Sequence, residues 1–331
     1  MPPLGAAGVV VAGAGRGVVS LAAAMALVGV TSGAADVAIN TLAGRAERAA
    51  GRPVITRVHG VFSTFVVLAS LGTGLLAGAG APPVIGFAGA GLVAVAAAAA
   101  VQRSVMRGPS GPATGSDPGF GQAGGQGRER AVPTATLVGL GLLGALAYAS
   151  ENAHQSWSAI FLTDAIGAGE GVGALAPAVF AAAVAATRFA AGGIGTAHAR
   201  AVLATGSAAA AGGALLVAGA PSLVLGLLGL VVAAAGTAVL FPTVLAVVAA
   251  RTDERHRGRA TSVVTTVAYL GFVLGPVYVG VWSGALGIRG AMVAVAVLGA
   301  LLLVLTPLVR GERPRVSGCG SVRSAGRGSS G

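Results

Sequence analysis

Glu151, His154 and Trp157 recur every third residue inside the otherwise apolar run 134–162. On a helix that step places them along one slowly drifting stripe. A carboxylate and an imidazole one turn apart can share a proton, and an indole beside them can stack on a sugar or an apolar solute. A plainer reading competes: Trp157 belongs to an interfacial aromatic belt and the neighbouring Gln155 only hydrogen-bonds another helix. The Glu-x-x-His spacing is also that of di-iron bundles, which need a second copy and two further carboxylates. The chain has no second copy, so no metal is expected, and no cofactor.

Other polar residues sit in similarly apolar settings. Asp36 and Asn40 are four apart in the run 17–43 and share a helix face. A carboxylate at membrane depth is costly and faces a cavity or a partner, so Asp36 is a second proton-site or latch candidate. The bland alternative bonds it to nearby backbone or to Arg45. His59, beside Arg57, reads as an interfacial histidine. Tyr269 and Tyr278 could reach a cavity. Between and around them Gly271, Gly275, Pro276 and Gly280 favour close helix approach and a bend, a hinge that supports movement without contacting solute. Phe241-Pro242 reads as a similar kink.

The elements that must position these residues follow from composition. The chain has 331 residues, 55% hydrophobic and 9% charged, with a mean hydropathy of +0.85. Soluble proteins carry about 25% charged residues, so the bilayer is the better solvent. Spans about 20 residues long are expected at 17–43, 58–79, 82–102, 134–162, 171–193, 200–219, 222–250, 260–284 and 288–309. The stretch 4–15 is too short and reads as the end of another span. The expected fold is all-α: a polytopic transmembrane helix bundle with three spans in 1–102, a Gly/Pro/Ser-rich linker at 103–132, six spans in 133–310, and a disordered basic tail at 311–331.

The net charge is +11 and every basic residue is arginine. All arginines except Arg16 and Arg289 fall in alternate loops and the tail. That spread excludes a nucleic-acid module. Under the positive-inside rule it places the linker and the C-terminus in the cytoplasm of a plasma (inner) membrane protein. Arg251 to Arg259, with Asp253 and Glu254, read as a solvated cytoplasmic loop. Cys319 is the single cysteine, so no disulfide framework forms. Nine spans arranged three plus six imply a twelve-helix transporter lacking its first three helices.

Four stretches carry a family resemblance: GAADVAINTLAGRAERAAGRP followed by VHGVFSTF, ENAHQSWSAIFLTD, ATRFAAGG, and YLGFVLGPVYVG. In order and spacing they resemble the fourth helix with its cytoplasmic loop and the entry to the fifth, the seventh helix, the loop motif after the eighth, and the eleventh helix of the major facilitator superfamily, within its fucose-permease-like and bacterial sugar or drug permease branch. The resemblance runs from about residue 17 to 309. It implies two six-helix halves rocking around a central cavity, and a small solute carried with protons. It also implies that Arg188 braces a gate, although topology and snorkelling explain that arginine equally well. No nucleophile–base pair, phosphate-cradling loop or metal cluster points to an enzyme, and nothing implies an oligomer. Two other readings stay open: a non-transporting remnant or scaffold needing its missing helices, and a membrane-embedded lipid enzyme. The enzyme would need clustered Asp, His and Glu at one interface, and the ten acids here are scattered.

Overall fold

The structure, a computed structural model, describes scattered positions between 17 and 39 and residues 55–107, 132–191 and 196–309. The chain there is helical. Helix α1 spans Ile55–Gly78, α2 Pro83–Arg107, α3 Thr134–Asp164, α4 Glu170–Gly173 and α5 Leu175–Ala191. A 3-10 turn at Thr196–His198 leads into α6, Ala199–Gly219. Then come α7 Leu223–Ala238, α8 Leu240–Arg251, α9 Glu254–Leu305 and a closing 3-10 turn at Thr306–Leu308. An all-helical answer follows from the solvent, because each backbone donor and acceptor in hydrocarbon must be paired within its own segment.

The turns are set by local chemistry. At the end of α3, Gly167 adopts φ +76°, a left-handed conformation that a side chain would strain. The Ala168 amide then donates to the Leu162 carbonyl at 2.9 Å and the Gly167 amide to Thr163 at 3.1 Å, which satisfies two of the last carbonyls of the helix. Pro221 follows the end of α6, and Ser222 opens α7 by accepting a hydrogen bond from the Leu225 amide.

Six helices among the described residues are long and apolar enough to cross a membrane, not the nine expected. The difference in number has three sources. The expected span 17–43 is described only at scattered positions. In the expected span 58–79 the apolar helical stretch is Thr64–Gly78, shorter than a crossing. The expected spans 260–284 and 288–309 form two helices joined at Gly287, φ 71° and ψ 174°, and share the one range Glu254–Leu305, here α9; the chain turns back there, since Tyr278 reaches the Ala294 carbonyl at 3.0 Å. Helix α2 also continues to Arg107, into the expected linker. The rest of the linker, 108–131, and the tail beyond 309 lie outside the described residues.

Helix α3 is the hub. It packs along α9 and also touches α5, α7 and α8. Helix α6 packs against α7 and α9, and α1 docks on α4 and α5. Small residues permit this closeness. A Cβ on Gly271 would collide with the backbone of Ala145, and one on Gly275 would lie 3.0 Å from Ala149. From the other side, a Cβ on Gly141 would fall 2.6 Å from Val267 Cβ. Two apolar cores result. One, around Phe161, Phe180, Leu230 and Met292, lies toward the Arg289 end, and the other, around Leu137, Leu203, Val248 and Val264, toward the Arg259 end. Large apolar side chains also cover the outside, with Val273, Val277 and Val281 more than half exposed. That outward apolar surface is what lipid requires.

Because Gly271 meets backbone, Gly271→Val should lower the apparent melting midpoint of the purified protein in detergent by several degrees, an overpacking penalty of about 1–3 kcal/mol. Gly284→Val, at a glycine with open space around it, should shift it far less. Equal midpoints for the two variants would contradict the α3–α9 packing.

Candidate functional site

The polar residues of α3 lie where the two apolar cores meet. Glu151 is 13 residues before the end of α3, roughly 20 Å along the axis at 1.5 Å per residue. That depth falls well inside a hydrocarbon layer about 30 Å thick. Glu151 is buried, and Arg188 on α5 reaches it with Nη2 at 3.1 Å from both carboxylate oxygens. The apposition compensates a charge that would otherwise be isolated in a poor solvent for ions.

The third member of this contact has a cause legible in the sequence. Arg188 Nε donates to the carbonyl of Ala238 at 3.2 Å. In a continuous helix that carbonyl would accept from the amide four residues on. Residue 242 is proline and has no amide hydrogen, so the carbonyl is left open. The chain divides here into α7 and α8 around Val239, where the sequence predicts a kink. Thus one guanidinium joins α3, α5 and the α7–α8 junction.

A second proline repeats the logic. Pro276 deprives the Phe272 carbonyl of its helical partner, and Asn152 Nδ2 on α3 donates to it at 2.7 Å. Ser156 Oγ donates to Asn152 Oδ1 at 3.1 Å, so both ends of the amide are used. Pro276 sits within helical backbone, flanked by Gly275 against Ala149 and by Gly280, where a Cβ would lie 3.5 Å from the Trp157 ring. Gly271, Gly275 and Gly280 therefore line the α3 side of α9, and Pro276 lies among them. Beside them Tyr148 stacks on Tyr269 at 5.7 Å between centroids and meets Phe241 at 4.3 Å and Phe272 at 4.9 Å. Tyr278 turns away and donates to the Ala294 carbonyl at 3.0 Å.

His154 is fully buried, one turn beyond Glu151. Its ring lies parallel to Phe180 of α5, 5.5 Å between centroids. Its Nδ1 is 2.7 Å from the Ser150 carbonyl, which only accepts, so Nδ1 carries the hydrogen. Nε2 is left as a buried atom without a hydrogen bond. The structure thus gathers Glu151, His154, Trp157, Tyr269, Arg188, Gly271, Gly275, Pro276 and Gly280 around α3. Asp36 and Asn40 lie outside the described residues. Among the described residues no group of three or more His, Cys, Asp and Glu could hold a metal.

Sequence reading passed over two features. Asn152 carried no pattern of its own, although Pro276 signalled that some donor was needed. Arg289, read only as one of two arginines on the poorer side, closes that end of the bundle. Its Nη1 donates to the carbonyls of Ala218 and Ala220 at 2.8 Å, its Nη2 donates to Ala165 at 3.2 Å, and it lies 5.5 Å from the Phe161 ring centroid. Ala165 and Ala220 are the caps of α3 and α6. A cation at two helix C-termini suits both their open carbonyls and their dipoles.

Comparison with known families adds one match. The model of the Major Facilitator Superfamily matches residues 140–327, more than half of the chain, from within α3 to beyond the last described residue. No curated protein matches the sequence.

The Glu151–Arg188 contact is tested by a double-mutant cycle read as melting midpoints in detergent. Arg188→Gln and Glu151→Gln should each lower the midpoint, the first more, because it strands a buried carboxylate. The double variant should recover part of the loss. Strictly additive effects would show that the two side chains do not interact.

Proposed function

The chain belongs to the Major Facilitator Superfamily and is a multi-pass membrane transporter, and on that premise we propose that it moves a small organic solute by alternating access, coupled to protons through Glu151. The observation that carries this reading is the charged pair of Glu151 and Arg188, held in the middle of an apolar helix bundle. Ionisable groups at that depth mark solute or proton pathways.

The roles follow from the contacts. Glu151 takes and releases the proton. Arg188 compensates it while ionised and carries its charge state to the α7–α8 junction through Ala238. Trp157, Tyr269 and their aromatic neighbours offer faces on which a sugar-like solute, or a drug in the outward direction, would stack. Gly271, Gly275, Pro276 and Gly280 let α9 slide or bend against α3. Asp36 and Asn40 would supply a second polar site from the other half. The arginine pattern puts the linker and C-terminus on the cytoplasmic side of the inner membrane. No bond is made or broken in the solute, so the protein is not an enzyme in this reading.

A proton moving with a neutral solute supplies about 2.3 kcal/mol per 100 mV, enough for roughly 50-fold accumulation. Proteoliposomes with an imposed proton gradient, offered a panel of radiolabelled monosaccharides and a panel of cationic dyes, should show gradient-driven movement of at least one compound. In Glu151→Gln the accumulation ratio of that compound should fall toward one while exchange down its own gradient persists. Unchanged accumulation in the variant would remove Glu151 from the coupling step.

A further inference from the structure

We propose that the seam where α3, α8 and α9 meet, at the Arg259 end of the bundle, binds the phosphate of an anionic membrane lipid through Arg259 and His256. The proposal goes beyond the transport reading and depends neither on the solute nor on protons. It starts from a pocket lined by Val132, Leu137, Thr252, His256, Arg259 and Ala260. Val132 precedes α3 and Leu137 is its fourth residue. Thr252 follows α8, and the other three residues belong to the first two turns of α9. Part of the arginine run read as a solvated loop, Arg255, Arg257 and Arg259, is thus built into a helix.

Arg259 carries a charge with little to answer it. Its Nη2 donates to the Thr134 hydroxyl at 3.3 Å. It makes no ion pair among the described residues. The rest of its planar fork of N–H groups is left over. His256 lies three residues earlier, on the same face of the helix. Its Nδ1 is a buried atom without a hydrogen bond. Thr252 spends its hydroxyl hydrogen on the Val248 carbonyl at 2.8 Å, so Arg259 and His256 are the side-chain donors that the pocket lining offers. A phosphate answers both: it accepts two parallel bonds from a guanidinium and a further one from Nδ1–H.

The local field has the matching sign. Helices α3 and α9 both begin here, neither with a side-chain cap bond, and helix starts favour anions. Helix α8 ends here and opposes them, but Arg251 stands in its last turn. Asp253, the acid next to Thr252, has a partner of its own.

Depth and wall chemistry point to a lipid over a soluble phosphate. The 31 residues of α3 make it about 46 Å long at 1.5 Å per residue. A bilayer with its headgroups is about 40–45 Å thick. The start of α3, beside the pocket, therefore lies in the headgroup layer. Half of the lining is apolar, through Val132, Leu137 and Ala260. Farther along α3, Val138 and Leu142 are four apart and exposed, a track for an acyl chain leaving the pocket. Basic pockets between helices at a membrane surface suit anionic headgroups. A headgroup seated here bridges the starts of α3 and α9, beside the Arg259–Thr134 bond.

The test uses the full-length protein, delipidated in detergent and titrated with phosphatidylglycerol or phosphatidylcholine, with bound lipid counted by native mass spectrometry. Phosphatidylglycerol should bind the more tightly. Arg259→Gln and His256→Gln should each weaken it about tenfold, the worth of one hydrogen bond to a charged group. Arg259→Lys should not restore it, because an ammonium lacks the planar fork. Arg257→Gln, at an exposed arginine outside the pocket, should change it far less. Equal affinity for the two lipids, undiminished binding in Arg259→Gln, or an equal loss in Arg257→Gln would overturn the proposal, the last by showing attraction to surface charge alone. Inorganic phosphate that competes at the same concentration as the lipid would overturn the lipid assignment in favour of free phosphate. Should Arg259→Gln fail to fold, His256→Gln and Arg259→Lys decide, and full lipid affinity in both would overturn the proposal. No transport is measured, so failure here leaves the coupled-transport reading standing.

Discussion

In hydrocarbon no water stands ready to satisfy a stray donor, acceptor or charge, and the arrangement around α3 answers that constraint. A proline removes one amide hydrogen, and the carbonyl it leaves open must find a donor elsewhere. Ala238 finds Arg188, and Phe272 finds Asn152. Once Arg188 is drawn inward, its charge needs a counter-charge, which Glu151 provides. The ion pair and the helix irregularity are therefore one device. Removing Arg188 leaves the buried Glu151 carboxylate without its counter-charge and the Ala238 carbonyl without its donor.

The same economy shapes the scaffold. Helices in lipid gain little from burying apolar surface against one another, so contact must come from close fit and hydrogen bonds. Gly141, Gly271 and Gly275 let α3 and α9 approach until backbone touches side chain. This fit holds Asn152 and Tyr148 against α9 without a salt bridge. At the far end Arg289 gathers the carbonyls of Ala165, Ala218 and Ala220, tying the ends of α3 and α6 to α9. The bundle is thus pinned at one end by Arg289 and cross-linked at mid-depth by the Glu151–Arg188 pair.

His154 stands apart from these satisfied groups. Glu151, Arg188, Asn152 and Arg289 all have partners, whereas Nε2 and two flanking hydroxyls have none. Unspent hydrogen-bonding capacity in a protein core is costly. Three such atoms, on Ser150, His154 and Ser158, share one stripe of α3 beside the ion pair, and Ser207 and His256 carry two more elsewhere.

The sequence by itself determined the solvent, the helical fold and the element that carries the site. Low charge and long apolar runs dictated membrane helices, and Glu151, His154 and Trp157 at three-residue steps marked α3. Pro242 and Pro276 fixed which carbonyls would be open, since that follows from covalent structure. Of the expected crossings, 58–79 is the one whose apolar helical stretch, Thr64–Gly78, falls short. At Gly287 one left-handed glycine turns the chain back between two helices, where the sequence places the gap between 284 and 288. Only the tertiary structure decided which side chains would fill the open carbonyls. Arg188 is 50 residues from Ala238, and Asn152 is 120 from Phe272. Those pairings depend on interhelical distance and rotation, which arise from the mutual fit of glycines and bulky neighbours on different helices and leave no periodic trace in either one.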